Sequence, residues 1–337
     1  MQRGILKRNL NKTRSGADPS RSCPARWRIG RRVLSAIAFW FFVAANFQIC
    51  AAQTPDSGTP LKLARSYDSQ AKYPEAEAVL RAYLAENKAD ADAVYLLAYT
   101  LFRENKPADS LKLYTEAAQL RTPKAEDLRT VALDYVLLND YRDAEHWAKY
   151  ALSLDQNDAE TWYELGRIEY TLNRFQDSLT SFRRSLALDP SSVKAENNLG
   201  LAFEGLNRTD EAMVAYRKAL VMQASSPHPS EQPMLNLATL LVSGDRFDEA
   251  LPLLEQAQRI APRDWKILAQ LGRLHLDQGN LSAAQHDLEQ AIEIQPDRAS
   301  LHFQLGQTYK KQGASDKANA QFALVQQLLK DRSSPDR

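Results

Sequence analysis

Large apolar residues followed directly by small ones recur through most of this chain. Successive pairs lie 34 residues apart, with one step of 38, at Leu63-Ala64, Leu97-Ala98, Val131-Ala132, Leu165-Gly166, Leu199-Gly200, Leu237-Ala238, Leu271-Gly272 and Leu305-Gly306. A second small residue follows twelve positions after each pair, and in most units a large apolar residue follows four positions later. Spacings of three, four and seven within each half of the unit are typical of amphipathic helices. The pattern therefore predicts two helices per unit.

Turn-forming residues separate the two predicted helices, at Asn139-Asp140, Asn173-Arg174, Gly244-Asp245, Gly279-Asn280 and Gly313. Pro190, Pro262 and Pro296 follow the second helix, which proline cannot continue. Small residues in the middle of both helices allow the two helices of a hairpin to approach closely. A single hairpin cannot bury its apolar face alone, so the units are expected to stack on one another.

The repeat resembles the tetratricopeptide repeat family. The agreement is closest in unit 159–192, with Trp162, Leu165, Gly166, Tyr170, Ser178, Phe182, Ser185 and Pro190. The resemblance implies an all-α fold, a right-handed superhelical solenoid of about eight helix hairpins. The predicted units are 57–90, 91–124, 125–158, 159–192, 193–226, 231–264, 265–298 and 299–332, between a short linker at 53–56 and a polar tail at 333–337.

Two units depart from the common pattern. Ala148 stands where the second helix of most units has a large apolar residue, and the step of 38 residues comes from an insertion around Pro227–Ser230. The insertion predicts a longer loop. The last unit has no successor to cover it, yet it keeps apolar residues at Phe322, Leu324, Val325, Leu328 and Leu329.

A basic leader occupies residues 1–52, before the repeats. It carries ten Lys or Arg residues and a single acidic residue, Asp18, and its basic part is followed by an apolar run at 33–47 and small residues at Ala51 and Ala52. Basic, apolar and small segments in this order are typical of a secretory signal peptide, with cleavage expected after Ala52. Cys23 and Cys50, the two cysteines of the chain, both lie in this leader.

Two other interpretations of the leader remain open. Residues 33–52 are long enough to span a bilayer as an uncleaved anchor, and their basic flank would keep the leader's start in the cytoplasm and the repeats outside it. Attachment of lipid to Cys50 is a weaker alternative, because the bulky Ile49 precedes the cysteine. All three interpretations place the repeats across a membrane, either periplasmic or secreted, or anchored with the repeats outside the cytoplasm.

Charge is divided unevenly along the chain. The whole sequence has 43 basic and 42 acidic residues, a net charge of +1. Ten of the basic residues and one of the acidic residues belong to the leader, which leaves 33 basic and 41 acidic residues, a net charge of −8, in the remainder. An acidic repeat region is expected to repel nucleic acid. We therefore expect no nucleic-acid partner.

Catalytic and metal-binding patterns are missing from the sequence. No two of the five histidines, at 146, 228, 275, 286 and 302, have the four-residue helical spacing of a zinc motif. His275 and His302 fall in columns that hold apolar or aromatic residues in other units, so we expect both to be packed structurally. With no phosphate-binding glycine loop and no nucleophile motif, we predict no catalytic residue, no cofactor and no metal site.

The resemblance to tetratricopeptide repeats implies a concave groove lined by first helices. Applied to this sequence, the family's inward positions give an aromatic and basic zone at Arg65, Tyr95, Tyr99, Phe102, Arg129, Tyr163, Arg167 and Tyr170. They also give one amide per unit at Asn198, Asn236, Gln270 and Gln304, preceded by Glu164 in the same column. An amide has both donors and an acceptor, so such a ladder is suited to the backbone of an extended peptide. A plain solvent-facing column is the alternative.

Two functions follow from these features. The first is an exported, non-catalytic scaffold that binds a protein or an extended peptide in the concave groove. The second is a structural or assembly factor, tethered to the membrane by residues 33–52 and self-associating through its last repeat. An accessory domain of an enzyme, or a glycan-binding surface formed by Tyr95, Tyr99, Phe102 and Tyr163, is a more distant third. The sequence does not identify the partner.

Overall fold

The computed structural model describes residues 58–333, and all the regular structure in this range is helical. The predicted leader, the linker and most of the polar tail lie outside the described residues. The helices are α1 (Gly58–Ser69), α2 (Tyr73–Glu86), α3 (Ala91–Arg103), α4 (Pro107–Leu120), α5 (Ala125–Leu137), α6 (Tyr141–Leu154), α7 (Ala159–Thr171), α8 (Phe175–Leu188), α9 (Val193–Gly205), α10 (Thr209–Met222), α11 (Gln232–Ser243), α12 (Phe247–Ile260), α13 (Trp265–Asp277), α14 (Leu281–Ile294), α15 (Ala299–Lys311) and α16 (Ser315–Ser333).

These helices pair into hairpins of one odd-numbered and one even-numbered helix, which we call the first and the second helix of a hairpin. The chain divides at Pro123 into two compact units: α1 to α4 belong to one and α5 to α16 to the other. Within each unit, the second helix of one hairpin packs on the first helix of the next. The predicted all-α class built from helix hairpins is confirmed.

Small residues hold the two helices of a hairpin close together. A Cβ atom added to Gly166 in α7 would lie 2.7 Å from the ring of Phe182 in α8, and one added to Gly272 in α13 would lie 2.6 Å from Leu288 Cγ in α14. Both large side chains are almost fully buried. The small column of the first helix and the large column of the second helix are therefore complementary partners within one hairpin.

Polar side chains at helix starts explain where several first helices begin. The carboxylates of Asp90, Asp158 and Asp264 and the hydroxyl of Ser192 accept hydrogen bonds from backbone N–H groups in the first turn of the following helix. Such caps satisfy donors that have no partner inside the helix.

The four-residue insertion lies between α10 and α11. The buried side chain of Gln223 closes the base of this loop: its Nε2 donates to the Ser230 carbonyl at 2.8 Å, and its Oε1 accepts from the Ser230 N–H at 3.0 Å. The predicted longer loop is therefore present and is held at both ends.

None of the described helices is both long enough and apolar enough to cross a membrane. The apolar run at 33–47, on which the signal and anchor interpretations rest, lies outside the described residues.

Candidate functional site

The predicted groove residues divide between the two compact units, so each group is described within its own unit. Arg65, Tyr95, Tyr99 and Phe102 belong to the unit of α1 to α4. All the others belong to the unit of α5 to α16. Every one of the twelve predicted residues lies on the first helix of a hairpin.

An aromatic and basic patch occupies α3 in the first of these units. The half-buried Tyr99 lies beside Phe102, with ring centroids 6.2 Å apart, and its hydroxyl accepts a hydrogen bond from Arg103 Nη1 at 2.8 Å. The Arg103 guanidinium also lies 4.8 Å from the ring centroid of Tyr73. Arg65 is exposed on α1. Tyr99, Phe102 and Arg65 therefore retain surface that a ligand can reach.

Tyr95 differs from this patch because it is buried, with 4% of its surface exposed. Its hydroxyl donates to the Arg121 carbonyl at 2.9 Å, and the Arg121 guanidinium lies 4.1 Å above its ring. The ring contributes mainly to packing between α3 and the end of α4.

Tyr163 lies at the centre of the corresponding cluster in the second unit. The ring is nearly buried, and Lys194 Nζ lies 4.4 Å from its centroid. The hydroxyl accepts a hydrogen bond from Asn198 Nδ2 at 3.1 Å. Burial raises the pKa of this phenol above its ordinary value. Tyr163 therefore remains a neutral phenol that links α7 to α9.

The basic residues of this cluster are already paired. Arg129 Nη1 lies 2.6 Å from Asp158, and Arg167 Nη1 lies 2.8 Å from Glu164. Burial raises the pKa of Glu164, although the nearby Arg167 opposes the shift. Tyr170 is half-buried against the ring of Phe175, with centroids 5.3 Å apart. An acidic ligand would have to compete with internal carboxylates for these arginines.

The amide column forms a continuous hydrogen-bonded chain in its first half. Asn236 Nδ2 donates to Asn197 Oδ1 at 3.0 Å, Asn197 Nδ2 donates to Asn198 Oδ1 at 3.3 Å, and Asn198 donates onward to the Tyr163 hydroxyl. The chain crosses three first helices, α11, α9 and α7. The side-chain amides of Asn198 and Asn236 therefore already donate hydrogen bonds within the protein, to Tyr163 and Asn197 respectively.

The second half of the column is different. Gln270 in α13 and Gln304 in α15 are both partly exposed, but their Oε1 atoms are buried and have no hydrogen-bond partner among the described residues. Leaving a buried acceptor unpaired costs about 1–3 kcal/mol. A hydrogen-bond donor from a ligand would remove that cost, either directly or after the side-chain amide rotates to point its Oε1 atom at the donor.

Three residues of these clusters were not predicted from the sequence: Arg103, Lys194 and Asn197. Asn197 falls in the same column as Tyr95, Arg129 and Tyr163, so its position in the sequence is a signal for an inward-facing residue. Lys194 and Arg103 each lie on a first helix, outside the inward columns of the repeat.

Titratable side chains do not form a metal cluster within residues 58–333: no group of three or more His, Cys, Asp or Glu residues there is arranged to hold an ion. His275 Nδ1 lies 2.8 Å from Asp287 Oδ2, and the buried His302 lies within 2.7 Å of Gln321 Oε1 and of the Pro296 carbonyl. Both histidines are thus packed and bonded between helices.

Comparison with protein families gives matches over most of the repeat region. Models described as tetratricopeptide repeat match residues 61–125, 132–193, 163–229 and 241–286, and a model described as TPR repeat matches residues 272–313.

Individual relatives are more distant. BBSome complex member BBS4 of Mus musculus is 32% identical over 108 residues, which are 32% of this chain and 20% of the mouse protein. The match thus spans about a fifth of the curated relative. Among solved structures, the type IV pilus biogenesis factor PilW is similar over 63% of this chain and 95% of its own, with 23% identity and a TM-score of 0.56. A tetratricopeptide repeat protein from Parabacteroides merdae covers 74% of this chain and 97% of its own, at 17% identity and a TM-score of 0.58. At these identities the two structures bear on the fold alone.

Proposed function

Since this chain belongs to the tetratricopeptide repeat family, we propose that it is a non-catalytic scaffold that binds a protein or an extended peptide on its first helices. Tetratricopeptide repeat proteins generally bind protein or peptide partners. The observation that carries the proposal is the amide column, which is satisfied internally at Asn198 and Asn236 but has unpaired acceptors at Gln270 and Gln304.

The binding mode follows from that division. Gln270 and Gln304 belong to consecutive hairpins, and a peptide in extended conformation presents a backbone N–H at every residue. We expect these two glutamines to receive backbone donors. The internally bonded asparagines serve to fix the spacing between the first helices. Partly exposed aromatic residues such as Tyr170 supply apolar contact area.

The test begins with peptides selected from a random display library against the whole protein. The affinity of one selected peptide is measured for the wild type and for Gln270→Ala and Gln304→Ala. Each substitution is expected to weaken binding about two- to tenfold, as loss of a neutral hydrogen bond does. Gln256→Ala is the matched control, since Gln256 is exposed on a second helix, α12, outside the amide column.

N-methylation of the peptide separates backbone recognition from side-chain recognition. A methyl group removes one N–H donor at a time, so one or two positions are expected to lose affinity in the wild type but not in Gln304→Ala. If every selected peptide bound the two glutamine variants and Tyr99→Ala as tightly as the wild type, binding on the first helices would be wrong.

Export is a further part of the proposal. We infer from the basic, apolar and small segments of residues 1–52 that the leader carries the repeats across a membrane. Sequencing the amino terminus of the protein recovered from its native cells tests this. An end near Gln53 indicates cleavage, whereas an intact start together with membrane association indicates an anchor.

Self-association through the last hairpin is the second candidate. Two large apolar side chains of this hairpin are exposed, Phe303 in α15 at 46% and Leu329 in α16 at 53%. Helix α16 is also longer than the second helix of any other hairpin that the structure describes. Both features favour this candidate. Native mass measured over a range of concentrations tests it. A protein that stays monomeric at every concentration would exclude this candidate and leave the peptide-binding proposal intact.

A further inference from the structure

A cavity of about 730 Å³ lies between the second helices of two consecutive hairpins, α6 and α8. The first helix α7 forms its floor with Trp162, Leu165 and Glu169. None of the residues proposed above for peptide binding lines it. The cavity is therefore a separate feature of the α5 to α16 unit, of a size typical of ligand pockets.

The cavity has a specific cause in the sequence of one repeat. Glu169 and Ser181 each follow the small residue of their helix by three positions. The preceding hairpin has two large buried aromatic residues at these positions, Tyr135 and Trp147. Ser181, which lines the cavity, is much smaller than the indole that stands at the same position one repeat earlier.

The carboxylate of Glu169 on the floor is buried and has one short and one long hydrogen bond. Glu169 is 4% exposed, and its Oε2 accepts a hydrogen bond from Ser181 Oγ at 2.6 Å. Arg174 approaches its Oε1 only to 3.5 Å, because that guanidinium lies 2.6 Å from Glu145. Burial raises the pKa of Glu169, although the hydrogen bond from Ser181 and the charges of Arg174 and Lys149 oppose the shift. A positive charge placed directly at the carboxylate would favour its ionised form further.

One later hairpin also has a carboxylate at one of these two positions. There the same two positions hold His275 and Asp287, with 2.8 Å between Nδ1 and Oδ2. That pair combines a carboxylate with a nitrogen base. In the α7–α8 hairpin the carboxylate is present, but a hydroxyl stands in place of the nitrogen partner.

We propose that this cavity binds a lysine or arginine side chain of a partner protein, with the cationic group at Glu169. The methylene stem lies along the apolar part of the lining, formed by Leu152, Trp162, Leu165 and Leu188. Two basic and two acidic residues line the cavity: Lys149, Arg184, Asp177 and Glu169. Lys149 is already paired with Glu145, and Glu169 is the carboxylate on the floor of the cavity. The cavity exceeds the volume of one side chain, so residues that flank the basic one also enter it.

The test uses capped amino acids as probes and the Trp162 indole as the reporter. N-acetyl-lysine methylamide is titrated into the whole protein, and the indole N–H resonance that Trp162→Phe removes is followed by NMR. A saturable shift is expected. The norleucine analogue, which lacks only the ammonium group, is expected to bind at least about tenfold more weakly, as is the lysine probe with Glu169→Gln.

Two variants make the result specific. Glu204→Gln is the matched control, because Glu204 is a half-buried carboxylate that likewise accepts a hydrogen bond from a hydroxyl, that of Tyr216, but lies outside the cavity. This variant should bind the lysine probe like the wild type. Ser181→Leu is expected to fill part of the cavity and to abolish the shift. The protein should stay folded, because another hairpin has a leucine, Leu113, at the same position.

Three outcomes would overturn the proposal. Equal binding of the norleucine probe would make the cavity a purely apolar pocket. Tighter binding of the glutamate analogue would make it an anion site at Lys149 and Arg184. Unchanged affinity in Glu169→Gln would remove the carboxylate from the site.

Discussion

Gly200 is a residue whose missing side chain decides how closely two helices pack. A Cβ atom at this position of α9 would lie 2.7 Å from Cδ1 of Tyr216 in α10, and this ring is fully buried. The ring cannot move away easily because its hydroxyl donates a hydrogen bond to Glu204. The small column is therefore required by a specific ring and not only by helix proximity in general.

Gly200→Ala is expected to destabilise the protein by about 1–3 kcal/mol, because an extra methyl group in a well-packed core displaces its neighbours. Thermal unfolding followed by circular dichroism measures the change. Gly244→Ala is the control, since a Cβ atom there has its nearest neighbour, the Leu240 carbonyl oxygen, at 3.6 Å. Equal melting temperatures for the two variants would contradict the expected clash.

Glu204 gives a pH dependence of known sign. Burial raises the pKa of its carboxyl above the ordinary value of 4.5. The folded protein therefore keeps this proton at pH values where the unfolded chain has lost it. This carboxyl consequently lowers the free energy of unfolding as pH rises through that window.

Glu204→Gln removes the ionisation while keeping an acceptor for Tyr216. The melting temperature of the variant minus that of the wild type is expected to increase between about pH 4.5 and pH 7. Glu211→Gln should show the opposite trend and at lower pH, because the hydrogen bond from Arg208 lowers the pKa of Glu211. The stability that this carboxylate contributes to the wild type is lost as pH falls below about 4.5. A difference that does not change with pH for Glu204→Gln would contradict the assignment.

At the scale of the helix hairpin, the turn between the two helices has one position that is always in the left-handed conformation. All eight hairpins have a residue with positive φ between their two helices, at Ala71, Asn105, Asn139, Asn173, Asn207, Asp245, Gly279 and Gly313. This left-handed conformation costs about 1–2 kcal/mol for most residues, and glycine and asparagine adopt it most readily. In the first hairpin this position is Ala71, with φ 58°, so its backbone is strained.

Ala71→Gly is expected to stabilise the first hairpin by about 1 kcal/mol, since relief of the strained backbone exceeds the added entropy of the unfolded chain. Ala78→Gly in the exposed interior of α2 should instead destabilise it by a similar amount. Hydrogen exchange of amides in α1 and α2 measures both effects locally. Loss of protection in Ala71→Gly would contradict the proposed strain.

Hairpins were predictable from the sequence because their contacts are local and periodic. Gly166 and Phe182 are sixteen residues apart, and each of their columns recurs every 34 residues in most of the chain. Both spacings are visible in the sequence. The conformation of the turn was less predictable: in the sixth hairpin the left-handed residue is Asp245, whereas the adjacent Gly244 has φ −103°. Sequence preference alone favours the glycine, but helix α11 continues to Ser243 and places the reversal one residue later.

At the scale of the whole molecule, the described chain consists of two compact units that divide at Pro123. The larger unit has a core that extends from Tyr163 to Leu274 across consecutive hairpins. These contacts lie within one stretch of chain and involve no residue before Lys124.

A fragment of residues 124–337 is therefore expected to fold without the residues before it. Far-ultraviolet circular dichroism should give the helix content of α5 to α16, and thermal unfolding should remain cooperative. Amide resonances of α9 to α14 should coincide with those of the intact protein. A fragment with little helix or without a melting transition would show that the division at Pro123 does not mark an independent folding unit.

The candidate site was harder to predict than the fold, because it depends on distances between repeats. The amide column was visible in the sequence, but the hydrogen bond from Asn236 to Asn197 joins residues 39 positions apart and depends on the offset between α9 and α11. Likewise, Tyr95 and Tyr99 lie on one helix, but Tyr95 is buried under residues distant in the sequence, among them Arg121 and Tyr114.

The loop closed by Gln223 has a consequence for how a gene of this kind changes length. Four extra residues are accommodated between two hairpins, while the spacing inside each hairpin is unchanged. Unequal recombination that duplicates or deletes one complete repeat would likewise keep each small residue of a first helix opposite its partner on the second helix. A deletion that removed only part of a repeat would separate these partners. Copy number is thus the variable that recombination can change at the lowest cost to folding.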